Sequence, residues 1–228
     1  MKRFVFLDLD DTVFDFHKAE RIALTKTLTE LGLAPDPAVL TRYSEINIAQ
    51  WKLLEEGKIL REELKVRRYR LLFEELGTDV SPELAATTYA KNLSIGHYFI
   101  EGAEELLSTL SRDYRLFLVS NGAADIQRGR IGSSNIHLYF EKMFISEEIG
   151  FNKPDVRFFD AVFAEIPDFD KTQAVIIGDS LSSDIKGGQN AGITTVWFNP
   201  KGLEAPADTR PDYTISRLCE LPFVLSKM

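Results

Sequence analysis

Four apolar residues, Phe4-Val5-Phe6-Leu7, are followed at once by Asp8-Leu9-Asp10-Asp11-Thr12. A short apolar run with a polar boundary predicts a buried strand. The pattern then changes period. Ala19, Ile22, Ala23, Thr27, Leu28 and Leu31 recur at helical spacing up to Gly32, with Pro35 and Pro37 marking a turn. Leu40, Ile46, Ile48, Trp51, Leu53 and Leu54 predict a second helix over 38–55, closed by Gly57. A third is expected over 61–76, stopping at Gly77. A fourth begins after Ser81-Pro82-Glu83, a cap followed by proline at the first helical position, and fades near 93–96. Four helices with no strand between them are too many for one crossover connection, so they predict an inserted helical domain.

Beyond Gly102 helices and strands alternate. Helical patterns cover 103–111, 126–140, 156–166 and 181–191, and strand patterns cover 116–119, 143–145, 174–177, 194–198 and 213–215. That alternation predicts an α/β fold, a three-layer Rossmann-like parallel sheet with helices on both faces, which the strand at 4–7 must rejoin. The expected division is a core of residues 1–15 and 100–228 and a helical insertion over 16–99.

Composition narrows the partners. With 228 residues and 44% hydrophobic content, the chain can bury one large core plus a smaller unit. A formal net charge of −8 argues against a nucleic acid polymer as ligand. No apolar run approaches the ~20 residues that span a bilayer, so no membrane partner is expected, and residues 4–7 are too few for a signal-peptide core. A single cysteine, Cys219, permits no internal disulfide and fits a reducing, cytoplasmic setting. His17, His97 and His137 have no metal-site spacing.

The candidate chemistry lies at strand ends. Carboxylates at the end of a buried strand need a cation to offset desolvation and repulsion. In an extended chain Asp8 and Asp10 project to one side, where a divalent ion with a preference for oxygen could bind, and Thr12 adds a hydroxyl. Ser120-Asn121-Gly122 offers donors for phosphate oxygens, or simply caps a strand-to-helix turn. Lys153 precedes Pro154, taken as the first residue of a helix, so its ammonium is presented by a fixed turn; it suits phosphate or clustered acids, or is merely solvated. Asp179 ends another strand in Gly178-Asp179-Ser180, and Asp184 falls in the first turn of the next helix, where it could also serve the helix dipole.

Together these residues resemble the four motifs of the haloacid dehalogenase-like (HAD) hydrolases. Asp8-Leu9-Asp10-Asp11-Thr12 matches the first, Ser120 the second, Lys153 the third and the run from Gly178 to Asp184 the fourth. The insertion resembles a C1-type cap, and Asn47, Trp51, Gly57 and Arg67-Arg68-Tyr69 look most like the pyrimidine 5′-nucleotidase branch. The resemblance implies Asp8 as nucleophile and Asp10 as proton donor and acceptor. It implies Mg²⁺ held by Asp8, Asp10 through its carbonyl, Asp179 and Asp184. Phosphate would meet Thr12, Ser120, Asn121 and Lys153, and a cap closing over the pocket would place Asn47, Trp51 and Arg68 for substrate specificity, although Trp51 also fits an apolar stripe. An acid at position 10 implies a phosphatase, since the family's dehalogenases lack it. The expected substrate is a small phosphorylated metabolite, a nucleoside 5′-monophosphate foremost, and the protein a monomer or homodimer. A phosphosugar mutase, a phosphoglycolate-type phosphatase and a non-catalytic phosphoacceptor are the alternatives.

Overall fold

The computed structural model describes residues 2–228. Strand β1 (Phe4–Leu7) leads through a tight turn to α1 (Phe16–Glu30), α2 (Pro37–Glu55), α3 (Arg61–Leu76) and α4 (Pro82–Leu93). Alternation follows: α5 (Ala103–Leu110), β2 (Arg115–Ser120), α6 (Ala124–Ser134), β3 (Lys142–Ile145), the single turn α7 (Ser146–Ile149) and α8 (Val156–Ala164). The chain finishes with β4 (Ala174–Gly178), α9 (Lys186–Ala191), β5 (Thr194–Phe198), β6 (Tyr213–Ile215) and α10 (Leu221–Leu225).

All strand pairs are parallel, in the order β3-β2-β1-β4-β5-β6. The first strand in sequence is therefore central, with Leu7 beside Leu118 on one flank and Ile177 on the other. Its side chains alternate between two cores. Val5 and Leu7 join Leu106, Leu107 and Leu110 of α5 and Leu221 and Leu225 of α10. Phe4 and Phe6 join Phe158, Phe159 and Phe163 of α8 and Ala191 of α9. Burying each such side chain contributes about 1.5–3 kcal/mol, so four adjacent residues anchor both helical layers. The three-layer α/β core is the one the alternation predicts. Closeness of the layers explains Gly187 and Gly188, where an added Cβ would fall 2.7 Å from the Phe159 ring and 2.6 Å from Ile176 Cγ2.

Several local expectations change. The pattern over 126–140 is not one helix: Asn135 takes a left-handed conformation (φ 61°) after Ser134, and a 3₁₀ turn, Ile136–Tyr139, follows. The stretch 181–191 opens as a π turn, Leu181–Ile185, before α9. Pro154 does not start a helix. Asp155 caps α8 by accepting a hydrogen bond from the Arg157 backbone N–H at 2.9 Å, and the side-chain cap moves the helix start past the proline.

The chain separates into two compact units, residues 2–16 with 97–228, and residues 17–96. Within the larger unit the strand-like crossings run side by side: Asp15 N–H donates to Tyr98 O (2.7 Å) and Ile100 N–H to Val13 O (3.0 Å). The helical unit has its own interior of Leu64, Leu72, Phe73 and three buried tyrosines, Tyr43, Tyr69 and Tyr89. The hydroxyls of Tyr43 and Tyr69 are hydrogen-bonded at 2.8 Å, and the Arg68 guanidinium lies 5.0–5.9 Å from all three rings.

Candidate active site

The carboxyl ends of β1 and β4 are neighbours, because those strands are paired. Asp8, just past β1, and Asp179, just past β4, are thereby delivered to one place. Asp184 comes from the π turn behind β4, with its carboxylate folded back to accept from the Ser180 N–H at 3.1 Å. This requires Gly178: a Cβ there would lie 2.1 Å from Asp184 Oδ2 and 2.6 Å from Asp184 Cβ. Carboxylate oxygens of Asp8, Asp179 and Asp184 all lie within 4.8 Å of one another. Trp197 of β5 steadies the group by donating its indole N–H to the Asp179 carbonyl at 2.7 Å.

Lys153 is the cation set against them. Its ammonium, almost wholly buried, donates to Asp8 Oδ1 (2.6 Å), Asp184 Oδ1 (2.6 Å) and Val119 O (2.9 Å), which occupies all three of its protons. Burial opposes charge on Lys153, but Asp184 and Asp8 outweigh it and hold its pKa above the usual lysine value. Three acids still face one ammonium. Burial, with the charges of Asp8, Asp184 and Asp11 beside it, pushes Asp179 up to about 9. Burial also raises Asp8, against the pull of Lys153 and with Asp184 and Asp10 adding to the rise. Such a set has negative charge in excess of what the protein itself neutralises, which is the condition a bound dication relieves.

The acids of the first motif do different jobs. β1 ends at Leu7 and the chain turns at once, with both Val13 and Phe14 N–H groups donating to Leu9 O, so Asp10 lies within that turn rather than on a continuing strand. The Asp10 carboxylate lies outside the metal-capable set; it accepts from Gln127 Nε2 at 2.6 Å and from Arg130 Nη1. Asp11 takes a left-handed conformation (φ 55°) and caps α1 by accepting from the Phe16 N–H at 2.9 Å. Thr12 is buried and its Oγ1 has no hydrogen-bond partner.

The second motif is equally divided. Ser120 Oγ is buried and accepts from Gln127 Nε2 (2.9 Å) and from the Gly122 N–H (3.2 Å). The Asn121 amide is committed to Lys153: its Nδ2 donates to Lys153 O at 2.9 Å and its Oδ1 accepts from the Lys153 N–H at 2.8 Å. In the helical unit Asn47 donates to Glu20 Oε1 (2.7 Å) and accepts from Arg68 Nη1 (2.9 Å), so two of the three candidate specificity residues are tied to each other. Trp51 is half-buried with the Arg61 guanidinium 5.5 Å from its ring, and is not a core residue.

Gln127, Arg130 and Trp197 touch the candidate residues, and the sequence gives no reason to single them out. Gln127 and Arg130 share one face of α6 by their three-residue spacing, which is the only local trace of their partnership.

A doubly covered parallel sheet whose central strand ends in an acid, with a lysine and further acids converging on it, places a charged centre at the carboxyl edge, where sheets of this kind bind ligands. The chain belongs to the haloacid dehalogenase-like hydrolase family, whose profile matches residues 5–198, and it is therefore an enzyme. It is 39% identical to pyrimidine 5′-nucleotidase PynA of Streptococcus pneumoniae over 99% of this chain and 95% of that one. It is 37% identical to the HAD-hydrolase YfnB of Bacillus subtilis, covering 99% and 97% of the two chains. A crystal structure of YfnB bound to magnesium superposes with a TM-score of 0.94 over 98% of each chain. Pyrimidine 5′-nucleotidase YjjG of Escherichia coli is 27% identical over 98% of this chain and 97% of its own.

Proposed function

We propose that the protein is a Mg²⁺-dependent phosphomonoesterase that hydrolyses nucleoside 5′-monophosphates, pyrimidine nucleotides foremost, through a phosphorylated Asp8. The observation that carries this is the convergence of Asp8, Asp179 and Asp184 on one point beside buried Lys153. The likeness to PynA and YjjG supports the choice of substrate.

The acidic set fits Mg²⁺, a hard cation that takes oxygen ligands. Asp8, Asp179 and Asp184, with the Asp10 main-chain carbonyl, would hold it, and when bound it would neutralise charge on the acids and on the phosphoryl oxygens. On this reading the chain's own groups divide the chemistry between them. A carboxylate oxygen of Asp8 bonds to phosphorus as the phosphorus–oxygen ester bond breaks, and Asp10 delivers a proton to the departing alkoxide. Asp10 then takes a proton from the water that attacks the aspartyl-phosphate, releasing inorganic phosphate and restoring Asp8. Lys153 offsets negative charge throughout, and Ser120 and Thr12 supply hydroxyls for phosphoryl oxygens. The helical unit, residues 17–96, serves as the specificity domain, with Trp51, Asn47 and Arg68 its candidate residues.

The test is phosphate release across a panel of nucleotides, sugar phosphates and phosphoglycolate, with and without Mg²⁺. Stoichiometric phosphate from pyrimidine 5′-monophosphates, lost on chelation and in Asp8→Asn, is expected. Silence across the panel, or turnover by Asp8→Asn, would overturn the proposal.

A further inference from the structure

Arg130 is the largest wholly buried side chain among the described residues, a position that usually goes to an apolar group. Its guanidinium stacks over Phe14 and Phe16, 5.2 and 5.8 Å from the ring centres. From there Nη1 donates to Asp10 Oδ1 and, at 2.9 Å, to Gln127 Oε1. Gln127 Nε2 in turn donates to Asp10 Oδ2 at 2.6 Å and to Ser120 Oγ at 2.9 Å. Both oxygens of one carboxylate are thus held, by two side chains that also hold each other. The backbone leaves room for this, since a Cβ on Gly122 would lie 2.3 Å from Gln127 Nε2. The Asp10 side chain nevertheless stays 28% exposed, so the clamp fixes it without sealing it off.

We infer that Gln127 and Arg130 are positioning residues that aim the Asp10 carboxyl group at the leaving oxygen, and that they matter in proportion to how badly that leaving group needs a proton. The inference rests on the role proposed for Asp10. A carboxyl group free to swing about its Cβ–Cγ bond spends little time in line for proton transfer, whereas one gripped at both oxygens is already oriented. In the step concerned, the Asp8–phosphorus bond forms, the phosphorus–oxygen ester bond breaks, and the Asp10 proton passes to the departing oxygen. An alkoxide from a nucleoside cannot leave without that proton. A nitrophenolate can.

The experiment compares kcat/KM for a pyrimidine nucleoside 5′-monophosphate and for p-nitrophenyl phosphate in wild type, Gln127→Met, Arg130→Met, Arg130→Lys and Asp10→Asn, with thermal melting of each. General acid catalysis contributes roughly 10²–10⁴-fold, so Gln127→Met and Arg130→Met should lose about 30-fold or more on the nucleotide and under about threefold on the aryl ester. Arg130→Lys, which keeps a donor and a charge, should recover part of the loss. If Arg130→Met does not fold, Gln127→Met alone carries the comparison. Parallel losses on both esters would reduce the pair to structural supports and overturn the inference. So would unchanged selectivity in the clamp variants beside a selective loss in Asp10→Asn. If Asp10→Asn also loses no selectivity, the proton-transfer role of Asp10 fails along with the inference. No turnover of either ester by wild type would overturn the proposed function itself.

Discussion

Asn121 and Lys153 grip each other through paired hydrogen bonds, amide to backbone in both directions, at 2.9 and 2.8 Å. The asparagine after β2 thereby fixes the main chain from which the buried ammonium reaches Asp8 and Asp184.

Asn121→Ala removes both bonds and leaves the Lys153 N–H and C=O to find other partners. Stability should fall by about 1–3 kcal/mol, the usual cost of unsatisfied buried groups. Turnover should fall by more than that loss of folded protein explains, because the ammonium is no longer aimed. Urea denaturation and steady-state kinetics on the same preparation check it, and unaltered turnover in a destabilised variant would contradict it.

Gly178→Ala should weaken Mg²⁺ binding while leaving the sheet intact. The new methyl group would have to displace the Asp184 carboxylate, 2.1 Å from its position. Calorimetric titration with Mg²⁺ should show a Kd raised at least about tenfold, the equivalent of about 1.4 kcal/mol. An unchanged Kd would mean that Asp184 adapts or does not take part.

Without a cation, the stability of the protein should fall as pH rises. Asp179 is pushed up to about 9, against about 3.9 for an aspartate in an unfolded chain. Between those values the folded form keeps a proton that the unfolded form has released, so the folded state loses ground with increasing pH until Asp179 has ionised. Thermal midpoints in chelator should therefore drop from pH 5 to pH 8, less so in Asp179→Asn, and Mg²⁺ should reduce the drop. A wild-type slope equal to that of Asp179→Asn would remove Asp179 from the account.

In the helical unit, Asn47→Ala would leave Glu20 and Arg68 without the amide that bridges them. We expect a loss of about 1–3 kcal/mol in thermal or urea unfolding, since both groups are buried. A variant that melts as wild type would contradict the bridging role, and weakened nucleotide binding in it would leave Asn47 to substrate recognition alone.

What could be read from the chain alone follows the range of the physical signal. Strand β1 and its acidic end are legible because burial and turning are local properties, and the alternation after Gly102 gives the layered sheet. The partners of Asp10 are not legible, because Gln127 and Arg130 reach it from a helix more than a hundred positions along the chain. Asp11 looks like one more site acid, yet it caps α1. Arg130 reads as an ordinary charged helix residue; only the fold brings Phe14, Phe16 and Asp10 around it, from more than a hundred positions away. Asn47 and Arg68 illustrate the same limit within the helical unit, where polar residues on two helices satisfy each other.

The strand that leads into Asp8 is synthesised before the other strands of the sheet but sits in the middle, with Phe4 opposite Arg115 and Ala174. A nascent chain emerging from the ribosome can pair these four greasy residues with β2 on one flank only, and the other flank stays open until β4 is made, while the intervening helices can close over their own short-range contacts. Fragments ending before β4 should accordingly be prone to aggregate, and Asp8 meets Asp179 and Asp184 only once the chain beyond β4 has emerged.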